Sequence, residues 1–345
     1  MPFSHRRGPD GTQRDPAATE ADLQASLAAL ARGGIPPRAE QRLAELREAR
    51  GAPQGAGYEE NRTLFTSDLS VNEFALLTAT GLRPVTQVMG SSVYHVGWQG
   101  TPGTFFGGLT MGRGSFELEV LSEAWNNARS LALSRLQQEA RFAGADAVVG
   151  VHIQWGAHDF APNAVEMVAV GTAVRTSGAE RTDPPVLCDL SGQDLWNLLR
   201  AGYRPVGVVG ATTIFYVVPQ WSTQALTTSW LSGRSNQELP DFTQAIYTAR
   251  EVAFGHLSAQ AQAFGAHGIV GVSIDQKIGR REVETGNNTR RIDLIVTLHV
   301  LGTAIVEEPP SGGNRAGTGR EQGGTGQKQG NDLDVRTTLD LRGAI

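Results

Sequence analysis

One stretch of the chain occurs twice, and it constrains the fold more than any other feature. It runs from Ala128 to Ile153 and returns from Ala249 to Ile274, a displacement of 121 residues that Gly144 and Gly265 share. Each copy reads as the second half of an amphipathic helix, a glycine that ends the helix, and a buried strand. The chain is therefore predicted to be a tandem duplication, and its architecture is more legible than its activity.

The helix of each copy carries the same apolar stripe. Spacings of three and four residues place the stripe on one face, and its small central residues predict a helix lying close to a sheet. The stripe consists of Leu121, Trp125, Ala128, Ala132, Leu136, Ala140 and Ala143 in the first copy, and of Phe242, Ile246, Ala249, Ala253, Leu257, Ala261 and Phe264 in the second.

The segments before the helices repeat as well. Ser70 and Glu73 form a capping box for a short helix, and Ser191 and Asp194 stand at the same place in the second copy. A β-branched run follows each short helix. A glycine inside each run, Gly90 or Gly210, predicts a bulge or a tight reversal that splits the strand.

The closing hairpins differ in length. Glycines inside their first strands, Gly150 and Gly271, are expected to mark a close approach by another backbone. The final strands share the motifs Val170–Val174 and Leu301–Ile305, displaced by 131 residues rather than 121. The second hairpin is therefore longer, and the extra residues are predicted to form a polar loop over 280–291.

Composition bounds the classes of function. The chain has 345 residues and a net charge of −5, so no overall basic field favours nucleic acid. Cys188 is the single cysteine, which excludes internal disulfides and a thiolate metal cage within one chain. The N-terminus lacks an apolar signal region and no run is long enough to span a membrane, so a cytoplasmic protein without membrane contact is expected.

The two ends of the chain differ from the repeats. Residues 1–18 are predicted to be disordered, and 19–50 to form a helical hairpin with a thin leucine stripe that must pack on its own chain or on another protein. The Gly-rich stretch 308–330 is predicted to be a disordered linker. Residues 331–345 alternate apolar and charged residues, which suits docking onto a sheet edge, with a solvated tail as the alternative.

The assembled pieces resemble the YbjQ-like family, whose domains are described as heavy-metal-binding. The resemblance rests on the Ala-Arg pair of each long helix, on Gly144–Val151 and Gly265–Val272, and on the Gly-Thr-Ala of each last strand. It covers repeat 1, residues 61–176, and repeat 2, residues 185–307. It implies an α+β fold of two tandem β-α-β-β domains, each with a helix packed on an antiparallel sheet, and assembly into cyclic, pentamer-like rings. It implies no established reaction.

The chain departs from the family pattern at three places. Leu121-Ser122 and Phe242-Thr243 stand where the family usually has a Tyr-Glu pair. Its Gly-Gly-Arg turn is reduced to Gly-Arg at Arg113 and Arg234, and His267-Gly268 replaces the Asp-Ala of the first repeat. A site that depended on the missing glutamate or aspartate is therefore in doubt, above all in repeat 2.

The best local cluster for a divalent metal lies on the first hairpin. Its residues are His152, His158, Asp159 and Glu166, whereas a zinc site needs three or four converging ligands. A solvated hairpin with one half-buried histidine is the competing interpretation. Four arginines at equivalent places are the other candidates, for interfaces or for ligand binding: Arg113, Arg129, Arg234 and Arg250. For Arg129 and Arg250 a buried or interfacial ion pair is the simpler expectation.

The sequence thus predicts a self-assembling, non-enzymatic scaffold or binding module. The physical motive is that a sheet covered by one helix leaves an open face and open edges, which ring formation would cover. The alternative is a metal- or small-ligand-binding protein with sites at subunit or domain interfaces. No catalytic residues and no cofactor are predicted, and further protein partners are expected to bind through 331–345 or 19–50.

Overall fold

The chain folds into two helix-covered sheets, one for each repeat. In the computed structural model, the described residues are 16–51, 65–96, 114–158, 161–176, 182–228, 236–285 and 289–308. Each sheet has four strands, in the orders β1-β4-β3-β5 and β2-β6-β8-β7. The predicted α+β class with tandem repeats is confirmed.

The elements follow the predicted order with additions. The N-terminal helices are α1 (Pro16–Ala31) and α2 (Pro37–Gly51). Repeat 1 contains α3 (Val71–Ala79), β1 (Leu82–His95), β2 (Gly114–Glu117), α4 (Glu119–Phe142), β3 (Ala147–His158) and β4 (Ala161–Thr176). Repeat 2 contains β5 (Val186–Leu187), α5 (Gly192–Arg200), β6 (Tyr203–Val218), α6 (Trp221–Thr228), α7 (Pro240–Ala263), β7 (Gly268–Thr285) and β8 (Thr289–Glu307).

The predicted apolar stripe of α4 forms the centre of the first core. Ala128, Ala132, Leu136 and Ala140 are fully buried against β1 and β4. The corresponding stripe of α7 is buried on β6 and β8. Gly144 and Gly265 end the two helices with φ of 72° and 65°, the left-handed conformation that glycine adopts without strain.

The expectation that Gly90 and Gly210 split their strands is wrong. Strands β1 and β6 run unbroken through both glycines, and their register shifts lie earlier, at Pro84/Thr86 and at Pro205/Gly207. A side chain on Gly90 would collide with the backbone of Ala132 and Leu136. Gly90 is therefore the point where α4 touches the sheet.

The glycines inside β3 and β7 are also explained differently than expected. Gly150 and Gly271 have φ of 68° and 66° and lie within the register shifts of their strands. No described backbone from elsewhere lies within 4 Å of an added Cβ at Gly150, and at Gly271 the nearest atom belongs to the Leu190 side chain. Another backbone does approach Gly150, whose N–H donates to the Leu190 carbonyl (3.1 Å), but that contact leaves room for a Cβ; the left-handed bulge conformation is what favours glycine at both positions.

The two repeats exchange strands, which the sequence analysis did not predict. Strand β2 of repeat 1 pairs with β6 of repeat 2, from Gly114↔Val218 to Glu117↔Phe215. In return β5, at the start of repeat 2, pairs in parallel with Ala147–Val148 of β3. Each sheet is thus completed by a strand from the other repeat.

Two segments of repeat 2 are more regular than predicted. The polar connection after β6 contains helix α6. The extra residues of the last hairpin extend both of its strands, to Thr285 in β7 and from Thr289 in β8, instead of forming a loop over 280–291. The side chains of this segment are polar, but the strands can still pair, because the hydrogen bonds of a β-ladder are made by backbone groups.

The N-terminal hairpin packs on α4 of its own chain. Leu43 of α2 is fully buried in the repeat 1 core. The Arg135 side chain donates to the carbonyls of Leu30, Gly34 and Ser91, so it joins the hairpin, α4 and the edge of β1. Helix α1 begins at Pro16 rather than at Thr19. The predictions for 1–15, 309–330 and 331–345 lie outside the described residues.

Candidate functional site at the junction of the two repeats

Repeat 1 covers the outer edge of β6 from Gly210 to Val218. Beyond the β2 pairing, the backbone of Ile214 receives a hydrogen bond from the Leu118 N–H (2.7 Å) and donates one to the Ser122 hydroxyl (3.0 Å). The Asn126 amide binds both backbone groups of Thr212, each at 2.9 Å. Side chains of α4 therefore bind the backbone of β6 beyond the end of β2, and Gln260 of α7 accepts from the Gly210 N–H on the same strand.

Arg129 lies at the centre of this junction. Its side chain is buried and donates to Thr212 Oγ1 (3.0 Å), Asn126 Oδ1 (2.6 Å) and the Gly210 carbonyl (2.5 Å). Burial lowers the pKa of the guanidinium to about 10. This position lies between the two repeats of one chain, and the interface or ligand role predicted for Arg129 stays a prediction. All three partners are neutral, and none of the ion pairs among the described residues includes Arg129.

A hydrogen-bond relay connects Arg129 to His299. Thr212 Oγ1 accepts a hydrogen bond from Arg129 and lies 2.8 Å from His299 Nδ1, and we assign its hydroxyl as the donor to that nitrogen. That assignment leaves the hydrogen of the neutral ring on Nε2, which is buried without a described partner. Burial, followed by the charges of Arg129 and Lys277, lowers the pKa of His299 to about 3. His299 is therefore a neutral donor at physiological pH.

A cavity of about 380 Å³ opens beside this relay. Its walls come from the facing sides of both repeats and from the segment that joins them. Trp155 packs on the His299 ring with centroids 4.0 Å apart, and Trp125 lies at 4.9 Å. The remaining lining is apolar apart from a few polar groups: Val151, His152, Ile153, Met167, Asp189, Gly271, Ser273, Asp275, Val300 and Leu301.

Asp189 in the cavity wall carries a perturbed carboxyl group. It accepts a hydrogen bond from the Thr303 hydroxyl, as Asp68 does from Thr172 in repeat 1. Burial raises the pKa of Asp189 from 3.8 to about 6, against the lowering effect of that hydrogen bond. This carboxyl group thus titrates in the folded protein well above its unfolded value.

We expect the stability of the protein to fall as pH rises from about 4 to about 6. In that window the native Asp189 retains a proton that the unfolded chain has lost, and linkage then lowers stability with rising pH. Asp189→Asn keeps an acceptor for Thr303 and cannot ionise. The difference in unfolding free energy between D189N and the wild type should therefore rise in favour of D189N by on the order of 2 kcal/mol across the window. Denaturant titrations at several pH values measure this, with the exposed Glu251→Gln as the control. An equal pH dependence in D189N and wild type would contradict it.

The structure describes the side chains of two of the four predicted metal ligands, His152 and Glu166, and these two lie apart. His152 pairs opposite Val170, whereas Glu166 lies opposite Gly156, four residues further along the ladder and roughly 13 Å away. His152 is exposed, and its Nδ1 lies 3.7 Å from Asp68. The side chain of His158 and the whole of Asp159 lie outside the described residues. Within the described part, no group of three His, Cys, Asp or Glu residues is arranged to hold an ion, and the four-residue site stays a prediction.

The four predicted arginines have different fates. Arg129 is buried in the junction, while Arg250, its counterpart on α7, is exposed and lies over the Phe254 ring. Arg113 and Arg234 lie outside the described residues. His299, Thr212 and Asp189 were missed as site residues. Val168 stands in repeat 1 where His299 stands in repeat 2, and this difference between the copies was the available signal.

Comparison with known proteins gives matches over both repeats. The model of a family described as "Putative heavy-metal-binding" (YbjQ) matches residues 86–177 and again 208–308, together more than half of the chain. The chain is 44% identical over 213 residues to the encapsulin nanocompartment protein Rv1762c of Mycobacterium tuberculosis, covering 60% of this chain and 76% of that protein.

Two further relatives match the chain over stretches shorter than one repeat. The UPF0145 protein BH0643 of Halalkalibacterium halodurans is 39% identical over 89 residues, which cover 25% of this chain and 76% of the relative. The UPF0145 protein OE_4416R of Halobacterium salinarum is 43% identical over 58 residues, which cover 17% of this chain and 54% of the relative. Among the helices of the described residues, none is both long and apolar enough to cross a membrane.

Proposed function

The chain belongs to the YbjQ family, and we propose that it is a non-enzymatic scaffold protein whose copies assemble head to tail. The observation that carries the proposal is an asymmetry between equivalent strands. Repeat 1 covers the edge and one face of β6, and the equivalent edge and face of β1 are largely bare. Copies that joined as the two repeats join would cover them.

The acceptor surface is the bare side of β1, defined by Met89, Ser91 and Val93. In the paired ladders, Val93 stands where Ile214 stands in repeat 2. Ile214 is 2% exposed, whereas Val93 is 59% and Met89 50% exposed. Two side chains of α4 bind part of this edge: Glu139 accepts from the Met89 N–H (2.9 Å), and Arg135 donates to the Ser91 carbonyl (2.6 Å). Exposed apolar side chains on an unpaired edge strand are a feature that proteins normally cover.

The donor surface is the flank of α7 that corresponds to the junction flank of α4. Tyr247, 55% exposed, stands where Asn126 binds Thr212, and Arg250 stands where Arg129 is buried. Residues 236–239 before α7, of which 236–238 are exposed, correspond to 115–118, which include most of β2. On β7, Ile274 is half exposed where Ile153 lines the junction in repeat 1.

A second strand exchange is available at the same contact. Inside the chain, β5 covers the edge of β3. Its counterpart ahead of repeat 1 is the segment beginning at Phe65 and Thr66, which is exposed, and the edge of β7 is exposed along most of its length. The joining of one copy to the next would therefore add one strand in each direction, as the repeats do.

Such a contact is heterologous, so it closes into a ring or continues as a filament. A ring of five repeat positions cannot be built from whole chains, because each chain supplies two positions. Four or six positions, from two or three chains, are the nearest closed arrangements. The mycobacterial relative's name, an encapsulin nanocompartment protein, supports an assembling role for this chain.

Light scattering coupled to size exclusion tests the proposal on the full chain. We expect a single species at micromolar concentration whose mass is an integral multiple of the chain mass, with dimers or trimers favoured. A monodisperse monomer at that concentration would reject the scaffold proposal.

A further inference from the structure

We propose that the cavity between the repeats binds a small organic carboxylate, with its anionic group on Arg129 and His299 and its apolar body against Trp155. All of the residues that line the cavity come from the two repeats of this chain. Its volume of about 380 Å³ suits a small organic molecule.

Arg129 carries a buried charge whose hydrogen-bond partners are all neutral. A buried cation is normally paired with an anion, because desolvation of an unpaired charge is costly. Arg129 is 8% exposed and is bound only to neutral oxygens. It also lines the cavity. A carboxylate entering the cavity would supply the counter-ion that the described residues do not provide.

The groups that Arg129 and His299 present to a ligand are hydrogen-bond donors. The relay through Thr212 leaves His299 with its proton on Nε2, and this donor has no described partner. Arg129 and His299 are thus two donors in one wall, and neither residue offers an acceptor. A ligand that satisfies both must present lone pairs, as a carboxylate does and an amine does not.

The other walls of the cavity combine apolar side chains with two carboxyl groups. Trp155, Ile153 and Met167 give the cavity an apolar side, on which a ring or an aliphatic chain can lie. Asp189 and Asp275 also line it, and Asp275 is the cross-strand neighbour of His299. These acceptors face the same space as the donors, so an amino group beside the carboxylate would find a partner there.

The site is not a consequence of the repeat fold. Repeat 1 has Val168 in place of His299 and Ser91 in place of Thr212. A position that only needed packing could carry valine, as the equivalent position of repeat 1 does. The histidine is instead buried with an unsatisfied donor, which costs stability unless another group binds it.

Isothermal titration of the full chain with phenylacetate tests the proposal. We expect saturable binding, and at least about tenfold weaker binding of phenylethanol and phenylethylamine, which lack the carboxylate. Phenylalanine distinguishes the ligand sources: tighter binding than phenylacetate identifies an amino acid site, and weaker binding a simple carboxylate site. Absence of saturable binding by both phenylacetate and phenylalanine would overturn the proposal.

Three variants locate the site. Arg129→Gln and His299→Val should each weaken phenylacetate binding by about tenfold or more. Arg47→Gln makes the same change at an exposed position of α2 that does not line the cavity, and it should leave binding unchanged. His299→Val introduces the residue that repeat 1 already carries, so it gives a result even if R129Q loosens the junction. Unchanged binding in H299V, with its thermal unfolding still cooperative, would refute the site.

Discussion

Replacement of Gly90 by alanine should lower the free energy of unfolding by about 3 kcal/mol or more. An added Cβ would fall inside contact distance of the Ala132 carbonyl oxygen and the Leu136 backbone nitrogen. Both are backbone atoms of α4, so no rotamer change relieves the overlap. The helix would have to move off β1, and the fully buried Ala128, Ala132 and Leu136 would lose contacts with it.

Gly156→Ala provides the matched control in a strand of the same sheet. No described atom lies within 4 Å of its added Cβ, so its effect should stay within about 0.5 kcal/mol. Urea unfolding followed by circular dichroism measures both variants. A loss below about 1 kcal/mol for G90A would mean that α4 does not approach β1 as closely as described.

The repeat architecture could be predicted because its signals are local. The stripes of α4 and α7 and the glycines that end them are read directly from spacing and backbone preference, and they were found where expected except for Phe264, which is 49% exposed. The internal glycines were harder to interpret. Gly90 and Gly150 look alike in sequence, but one lies under a helix and the other has left-handed backbone in a bulge. Only the packed structure separates those causes.

The candidate site could not be predicted for a related reason. Strand β2 has four residues and follows a glycine-rich segment, so nothing local indicates that it pairs with β6 of the other repeat. That pairing brings Arg129 close to His299, although the two residues are 170 positions apart in the chain. The sequence did contain one usable signal, the exchange of Val168 for His299, but its value depends on the register of two ladders.

Aspartate at Val93 should convert the assembled protein to monomers at micromolar concentration. If Val93 is buried between copies as Ile214 is buried between repeats, its replacement places an unpaired carboxylate in an apolar contact, which costs several kcal/mol at each interface. The residue is exposed in the single chain, so the thermal unfolding of the monomer should remain cooperative. Tyr247→Asp, on the donor surface, should have the same effect.

The head-to-tail arrangement predicts what happens when these two monomers are mixed. V93D retains an intact donor surface and Y247D an intact acceptor surface, so one sound contact can form between them. The mixture should give a heterodimer and nothing larger, because the remaining acceptor and donor are the damaged ones. An interface that paired identical surfaces would give no such rescue, since every contact would contain at least one V93D or Y247D surface.

Gln262→Asp separates this effect from a change in net charge. Gln262 is exposed, and its counterpart Arg141 stays exposed beside the junction inside the chain, so assembly should be unaffected. Light scattering on each variant and on the equimolar mixture distinguishes the outcomes. An assembled V93D protein would remove β1 from the contact. If both variants are monomeric and stay so when mixed, the two surfaces are needed for assembly but do not bind each other. A heterologous contact requires that the intact donor of one variant bind the intact acceptor of the other.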